Sequence, residues 1–363
     1  MSTPLGLPGV TVQFESRVSA FGTIAGAGKL ALLLKDAAIT DAAVMQFTNL
    51  SEALGAKAWA DATKNALIMA FDGGPQAVIV AALPAAGDWA DGFTLLEAQR
   101  FDVCTAAGIE AADDAGFVAW AKTAWNDMGL KALYITGTAA APDHPAIIRL
   151  EAADVTMADA TGTPVAVEDP SHALLPMIGG VFAGLQLWES ATFYPLPLVT
   201  DCKRLTKTEA NTAIAAGKLI LYHDGEKVKI ARGVTSLTTT GTTYGAEWRK
   251  AKVVRILNQL ESDITRAIED NYIGKVPNTI IQKSLLISAV LGYLQGLEGI
   301  GALQADTSTV AIDIERQRTY LKTRMDAAEV DAMSDEDVAE APTEDKLFLL
   351  VTVRPVDAIE DVQ

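Results

Sequence analysis

Three histidines, two cysteines and one glycine–lysine string hold most of the reactive chemistry available to this 363-residue chain. Gly26-Ala27-Gly28-Lys29 comes nearest to a phosphate loop. A Walker loop needs glycine at position 23, where Thr23 stands, and serine or threonine after the lysine, where Leu30 stands. It also needs a helix to follow, whereas an apolar strand follows here. The glycines read as a flexible lead-in, and the same context rules out a dinucleotide fingerprint over Gly22–Gly28. His144, His172 and His223 have no partner one helical turn away and no neighbouring cysteine. Cys104 and Cys202 fit no ligand spacing, so no zinc site can be argued, and both read as reduced thiols. Asp335-Glu336-Asp337 and Glu344-Asp345 lack the alternating ligands and turn glycine of a calcium loop. No strand–turn–helix serine motif of a hydrolase occurs. His223-Asp224-Gly225-Glu226 gathers an acid and a base, but on a predicted hairpin tip, where charge is more often only solvated. Nothing assembles nucleophile, base and stabiliser. The sequence therefore predicts no enzyme, no cofactor and no metal.

The elements that would have to position such groups fall into two textures. Leu30–Leu34 and Gln76–Ala81 read as buried strands, with a helix over Glu52–Ala70 between them. Helices near Trp89–Gln99 and Ala112–Met128 lead to strands at Phe101–Cys104 and Ala132–Thr136. Apolar strands alternating with amphipathic helices predict a mostly parallel sheet covered on both faces. From about Lys203 the pattern changes. A helix over Thr208–Ala216 precedes a hairpin, Lys218–Tyr222 and Lys227–Ala231, turned by Gly225. Two long helices follow, Glu247–Asn271 with a Val253, Leu257, Leu260, Ile264, Ile268 stripe, and Asn278–Gly296 with Ile281, Leu285, Leu286, Ala289 and Tyr293. Asn278 suits the second as N-cap. Thr309–Asp313 reads as a strand, and Ser334 with Asp337 as a capping box.

Composition narrows the function classes. The excess of 46 acidic over 29 basic residues opposes a phosphate-neutralising role, so no nucleic-acid partner is expected. No apolar run is read as reaching the roughly 18 residues that cross a bilayer; the longest, Ala173–Trp188, is broken by Pro176, Gly179, Gly180 and Gly184. No signal peptide is read at the start, and no membrane insertion is expected.

Each end carries a strand-like segment on a breaker-rich or polar lead. Val10, Val12 and Phe14 alternate with polar residues after Pro4–Gly9. Leu347, Leu349, Val351 and Val353 share one side of a pleat after the acidic stretch 326–345. A lone strand leaves backbone donors and acceptors unmet and must add to a sheet edge. Two readings stay open: the segments finish this chain's own sheet, or they pair with a neighbour.

Several strings, taken in order, resemble the sheath proteins of contractile phage tails and phage-tail-like bacteriocins. They are Gly6–Phe14, Lys229–Thr238, Asp270–Asn278, Val310–Asp313, Tyr320–Lys322 and Val351–Glu360, covering roughly the first 35 and last 160 residues. The resemblance implies a structural subunit that polymerises as stacked hexameric rings, helically arranged around a tail tube, and contracts to drive the tube through the host envelope. It also implies baseplate and tail terminator partners, and a place in a virion tail or tail-like particle assembled in the bacterial cytoplasm. Arms at Val10, Val12, Phe14 and at Leu347, Leu349, Val351, Val353 would join neighbouring subunits. The expected fold class is α/β: a mostly parallel sheet domain over 21–200, an α+β C-terminal domain over 201–345, and extended β-arms at 1–20 and 346–363. The competing classes are a doubly wound enzyme or binding protein with a helical accessory domain, and a self-assembling structural protein unrelated to contractile tails.

Overall fold

The computed structural model describes residues 27–158 and 162–361. These group into two compact units: one runs to Gln259 and takes in Asp357 onwards, the other is Leu260–Val356.

The first unit is built on an eight-stranded sheet. β1 (Lys29–Asp36) leads through β2 (Ala43–Phe47), α1 (Leu50–Gly55) and α2 (Asp61–Asp72) to β3 (Ala77–Pro84). The alternation continues with α3 (Trp89–Glu97), β4 (Val103–Ala106), α4 (Asp114–Asn126), β5 (Leu133–Thr136) and β6 (Ile147–Glu151). A three-stranded antiparallel sheet of β7 (Thr156–Ala158), β8 (Pro164–Ala166) and β9 (Val199–Asp201) brackets α5 (Pro170–Ala173) and α6 (Leu175–Gly184). α7 (Lys207–Ala215), β10 (Lys218–His223) and β11 (Val228–Ile230) follow. The large sheet runs β11-β10-β6-β5-β4-β1-β3-β2. Its inner pairs are parallel, with β2 and β11 added antiparallel at the edges.

Leu30–Leu34 and Val78–Ala82 are buried along their whole length. A strand covered on both faces needs no alternation, which is why these runs are continuously apolar. α6 is buried from Leu175 to Ala183, so the oily stretch is a core helix, and its glycines are contact surface. A Cβ on Gly180 would stand 2.2 Å from the Ala70 carbonyl oxygen of α2, and one on Gly184 would stand 1.7 Å from the Gly73 oxygen. Backbone approach this close admits only glycine.

Two expectations are revised. The single helix over Glu52–Ala70 is two helices, because the chain between them turns to bury Trp59, whose indole N–H donates to the Ala53 carbonyl at 2.8 Å. Asp36, at the end of β1, accepts the N–H of Ala60, the residue just before the second helix, at 3.0 Å. The change of texture near residue 203 is not where the first compact unit ends. β10 pairs parallel with β6, so Lys218–Ile230 belongs to the large sheet and the unit extends to Gln259.

α8 (Ala251–Asn271) carries the chain into the second unit, followed by α9 (Ile280–Gly299), β12 (Thr309–Ile312), α10 (Ile314–Leu321), α11 (Ala327–Ala332), α12 (Asp335–Glu340) and β13 (Leu349–Thr352). The three short helices enclose a small core of Leu321, Val330, Val338 and Ala341. Side chains of α10 tie it to the next two helices: Gln317 donates to the Val338 carbonyl, and Arg318 to the Val330 carbonyl at 2.7 Å. The capping box at Ser334 and Asp337 forms as the sequence suggests.

Candidate assembly site

β12 and β13 form an antiparallel sheet of two strands, with Thr309 opposite Thr352, Val310 opposite Val351, Ala311 opposite Leu350 and Ile312 opposite Leu349. The pairing continues at both ends, from Asp313 N–H donating to Phe348 O at 3.0 Å to Val356 N–H donating to Ala302 O at 2.9 Å. Between them residues 305–308 loop out, and the Glu298 carboxylate holds the loop through the amides of Asp306 and Ser308. Because Asp313 and Phe348 are hydrogen-bonded across the ladder, alternation makes Ala311–Leu350 and Thr309–Thr352 bonded pairs too. Val310, Ile312, Leu349 and Val351 then turn their N–H and C=O groups outward. No third strand pairs with either edge among the described residues.

Of the predicted arm residues, Leu349 and Val351 lie in β13 itself; Val351 and Val353 are buried, Leu347 and Leu349 half-buried, and Leu350 stands 43 % exposed. Within this chain their strand pairs with β12, and it is shorter than the sequence suggests, 349–352 instead of 346–354. Val10, Val12 and Phe14 lie outside the described residues.

α9 supplies the second unusual surface. Its buried stripe is Lys283, Leu286, Val290, Leu294 and Leu297. The residues read from sequence as its core stripe divide: Leu286 is buried, whereas Ile281 is 69 % and Leu285 54 % exposed. Ser284, Ser288, Ala289 and Gly292 continue the exposed side, and Lys283 and Glu298 are the helix's only charges. By length and composition α9 is apolar enough to cross a membrane, which corrects the expectation that no such segment exists; only 28 % of it is buried. Its start is capped by Thr279, not Asn278. Asn278 instead reaches Thr343 and the carbonyls of Glu344 and Lys346, fastening α9 to the lead of β13.

The groups that could do chemistry are used structurally. Asp224 accepts the amides of Glu226 and Lys227 and pairs with Lys229, which makes the hairpin tip a turn. Cys104 and Cys202 are buried and free, and burial pushes the Cys202 thiol up to about 11, so neither is a nucleophile. Gly28 lies against Asp102, whose carboxylate accepts the Lys29 amide at 2.6 Å, a packing contact with no phosphate cradle. The cavity beside them, bounded also by Arg255 and Asn258, holds about 10 Å³, room for a single water. Sequence spacing gave no sign of one cluster. His172 stands between Asp114, at 3.0 Å from Nε2, and Asp169, at 2.7 Å from Nδ1, and Thr136 donates to the other Asp114 oxygen. Burial alone would lower the His172 pKa, but the hydrogen bonds and charges of Asp169 and Asp114 outweigh it and raise it. Asp114 is 3 % exposed, so the cluster locks α4 and α5 to the sheet and leaves no room for a substrate. Among the described residues no group of three or more ligating side chains could hold a metal.

With a large, mostly parallel sheet in one unit and an open two-stranded sheet among the described residues of the other, the chain can be set beside known proteins. Residues 243–363 match the phage tail sheath C-terminal domain. The tail sheath protein of Clostridium phage phiCD119 is 27 % identical over 365 residues, covering 98 % of both chains. Among solved structures, the sheath tail protein of Desulfitobacterium hafniense superposes with a TM-score of 0.67 at 16 % identity, covering 84 % of this chain and 94 % of that one. The helical sheath of the anti-feeding prophage in its contracted state gives 0.66 at 15 % identity over 99 % and 98 %. The fold is that of a tail sheath subunit. Sequence similarity to tail sheath proteins is carried by residues 243–363 at the level of a domain and by one tail sheath protein over nearly the whole chain.

Proposed function

We propose that this chain polymerises with copies of itself as stacked hexameric rings around a tail tube, and that the sheath so formed contracts to drive the tube through a cell envelope. The observation that carries the reading is the two-stranded sheet of β12 and β13, in which Leu349 and Val351 turn their backbone groups away from the partner strand. In this reading the N-terminal segment Val10, Val12, Phe14 of a neighbour adds as a strand, and residues 347–353 form the receiving side of the joint. Strand addition uses backbone groups, so it tolerates rigid-body swinging of the units it links. The uncharged outer side of α9 supports the reading, since an apolar surface left open in one chain is covered when chains assemble. The particle's other partners are a baseplate and a tail terminator, and assembly takes place in the bacterial cytoplasm. If each subunit buried on the order of 1,000 Å² more apolar surface on contraction, the gross gain would approach about 25 kcal/mol before costs. No nucleotide is needed to drive the motion, and the subunit acts without catalysis.

One pair of substitutions tests the joint. Val351→Pro removes an outward N–H and leaves the bonded pairs with β12 in place, so the subunit folds but forms no striated sleeves in electron micrographs. Leu350→Pro removes a bond of the chain's own ladder and lowers subunit stability as well, by about 3 kcal/mol. Normal sleeves from V351P, with its fold verified, would defeat the joint.

A further inference from the structure

The last described residues are held by side-chain chemistry and not by a strand. Residues 357–361 group with the first unit, whereas 349–356 group with the second. The Glu360 carboxylate, 7 % exposed, meets three donors: Thr192 Oγ1 at 2.6 Å, Ser190 Oγ at 2.9 Å and Arg232 Nε at 2.9 Å. Arg232 also reaches Asp361 at 2.5 Å, and Lys250 pairs with Asp357. Burial alone would raise the Glu360 pKa, but the bonds from Thr192, Arg232 and Ser190 outweigh it, so the group stays ionised at neutral pH.

The donors are set in place by the body, not by the tail. Gly233 N–H donates to Thr192 Oγ1 at 3.0 Å, which directs the hydroxyl proton of Thr192 toward the carboxylate. The Thr192 amide donates to Ser190 Oγ. The turn closes at Phe193, a bulky residue held at φ +56°, where non-glycine residues are strained. Its N–H donates to Ile230 O at 2.8 Å, and Pro195 bridges to Lys229, so β11 fixes the turn. The tail brings almost no apolar anchor, since Ile359 is 91 % exposed. A rigid, strained, charge-complementary cup thus holds a segment that only polar contacts retain.

We propose that Ser190, Thr192 and Arg232 form a receptor for an acidic peptide, the Asp-Ala-Ile-Glu-Asp tail of a chain, filled here by the chain's own tail and exchangeable with that of a second copy. The second copy as occupant rests on the sheath reading; the receptor does not. The contacts are identical in both cases, so the tether decides: a short linker gives the chain's own tail a millimolar effective concentration. A neighbour fixed in a ring attains a similar one. This anchor recognises side chains and is separate from strand addition at β12 and β13.

The test uses full-length chain carrying Glu360→Gln and Asp361→Asn, whose own tail cannot compete. A fluorescent peptide of residues 356–363 is titrated and followed by anisotropy. Saturable binding is expected, at least tenfold weaker to wild type, and at least tenfold weaker when Arg232→Gln or Thr192→Val is added or when the peptide carries Glu360→Gln. Two receptor variants guard against one that misfolds. No saturable binding to the E360Q/D361N chain, or binding indifferent to both receptor substitutions, overturns the receptor. So does hydrogen exchange showing residues 357–361 still protected in the E360Q/D361N chain. Exchange is read separately by reversing charges. Sleeves from an equal mixture of R232E and E360R chains, neither of which assembles alone, place the tail in a second copy. Assembly only by the double variant keeps it at home and overturns exchange. Failure of wild type to form sleeves sinks the sheath reading and leaves the peptide result standing.

Discussion

The β11 edge of the eight-stranded sheet and the edges of the two-stranded sheet of β12 and β13 are treated in opposite ways. Beyond β11, residues 193–196 run antiparallel and exchange bonds with Ile230 and Val228 before Pro195 and the chain's departure end the pairing. Proline at a sheet margin blocks further strands. The sheet of β12 and β13 has no such closure among the described residues, and α9 beside it exposes Ile281 and Leu285 where a soluble surface would carry charge. The β11 edge is closed by its own chain, whereas in the reading proposed above the edges of β12 and β13 are completed by other copies. Substitutions in the first unit should therefore act on folding, and those on the outer surface of the second unit on assembly.

The largest effect should come from Gly184→Val in the sheet unit. Its Cβ has no room beside the Gly73 carbonyl, and backbone cannot yield as a side-chain tip does. Melting should show a loss of about 3 kcal/mol or more. A variant that melts like wild type would mean that α2 and α6 are not in this contact.

Smaller, and dependent on pH, is His172→Gln. With a carboxylate facing each ring nitrogen, the folded imidazolium is favoured and the folded pKa lies above the unfolded value near 6.5. The stabilisation is complete below about pH 6.5 and is lost as pH rises through the folded value. Wild type should exceed H172Q by on the order of 2 kcal/mol at pH 6, and the gap should narrow toward pH 9. Melting curves across that range that keep a constant gap would show a ring held neutral.

What could be read from the sequence follows the same division. Leu30–Leu34 and Val78–Ala82 were legible because strands buried on both faces write continuous apolar runs. β2, Ala43-Val44-Met45-Gln46-Phe47, was not, since a half-exposed edge strand with alanine and glutamine carries little pattern. The break after Gly55 depends on Trp59 finding the Ala53 carbonyl, a tertiary event. Asp114 and His172 are 58 residues apart, and nothing local marks them as partners. The strings at Arg232-Gly233 and Asp357–Glu360 both stood out, yet their meeting across 128 residues could not be foreseen. On α9 the helical period was evident, but apolar residues occupy most of its circumference, so periodicity could not say which side faces inward.

That ambiguity defines the smallest effect on the subunit. Leu285→Glu places a charge on a side chain already 54 % exposed, on the side of α9 opposite Leu286 and Val290. Substitutions at such positions stay within about 0.5 kcal/mol. Melting should hardly move, while sleeve formation should fail because a charge must be buried without a partner when copies assemble. Leu286→Glu, one residue on, should instead unfold the second unit before assembly can be asked about. If L285E assembles normally, the apolar side of α9 is merely tolerated exposure, and the open edges of β12 and β13 must account for assembly alone.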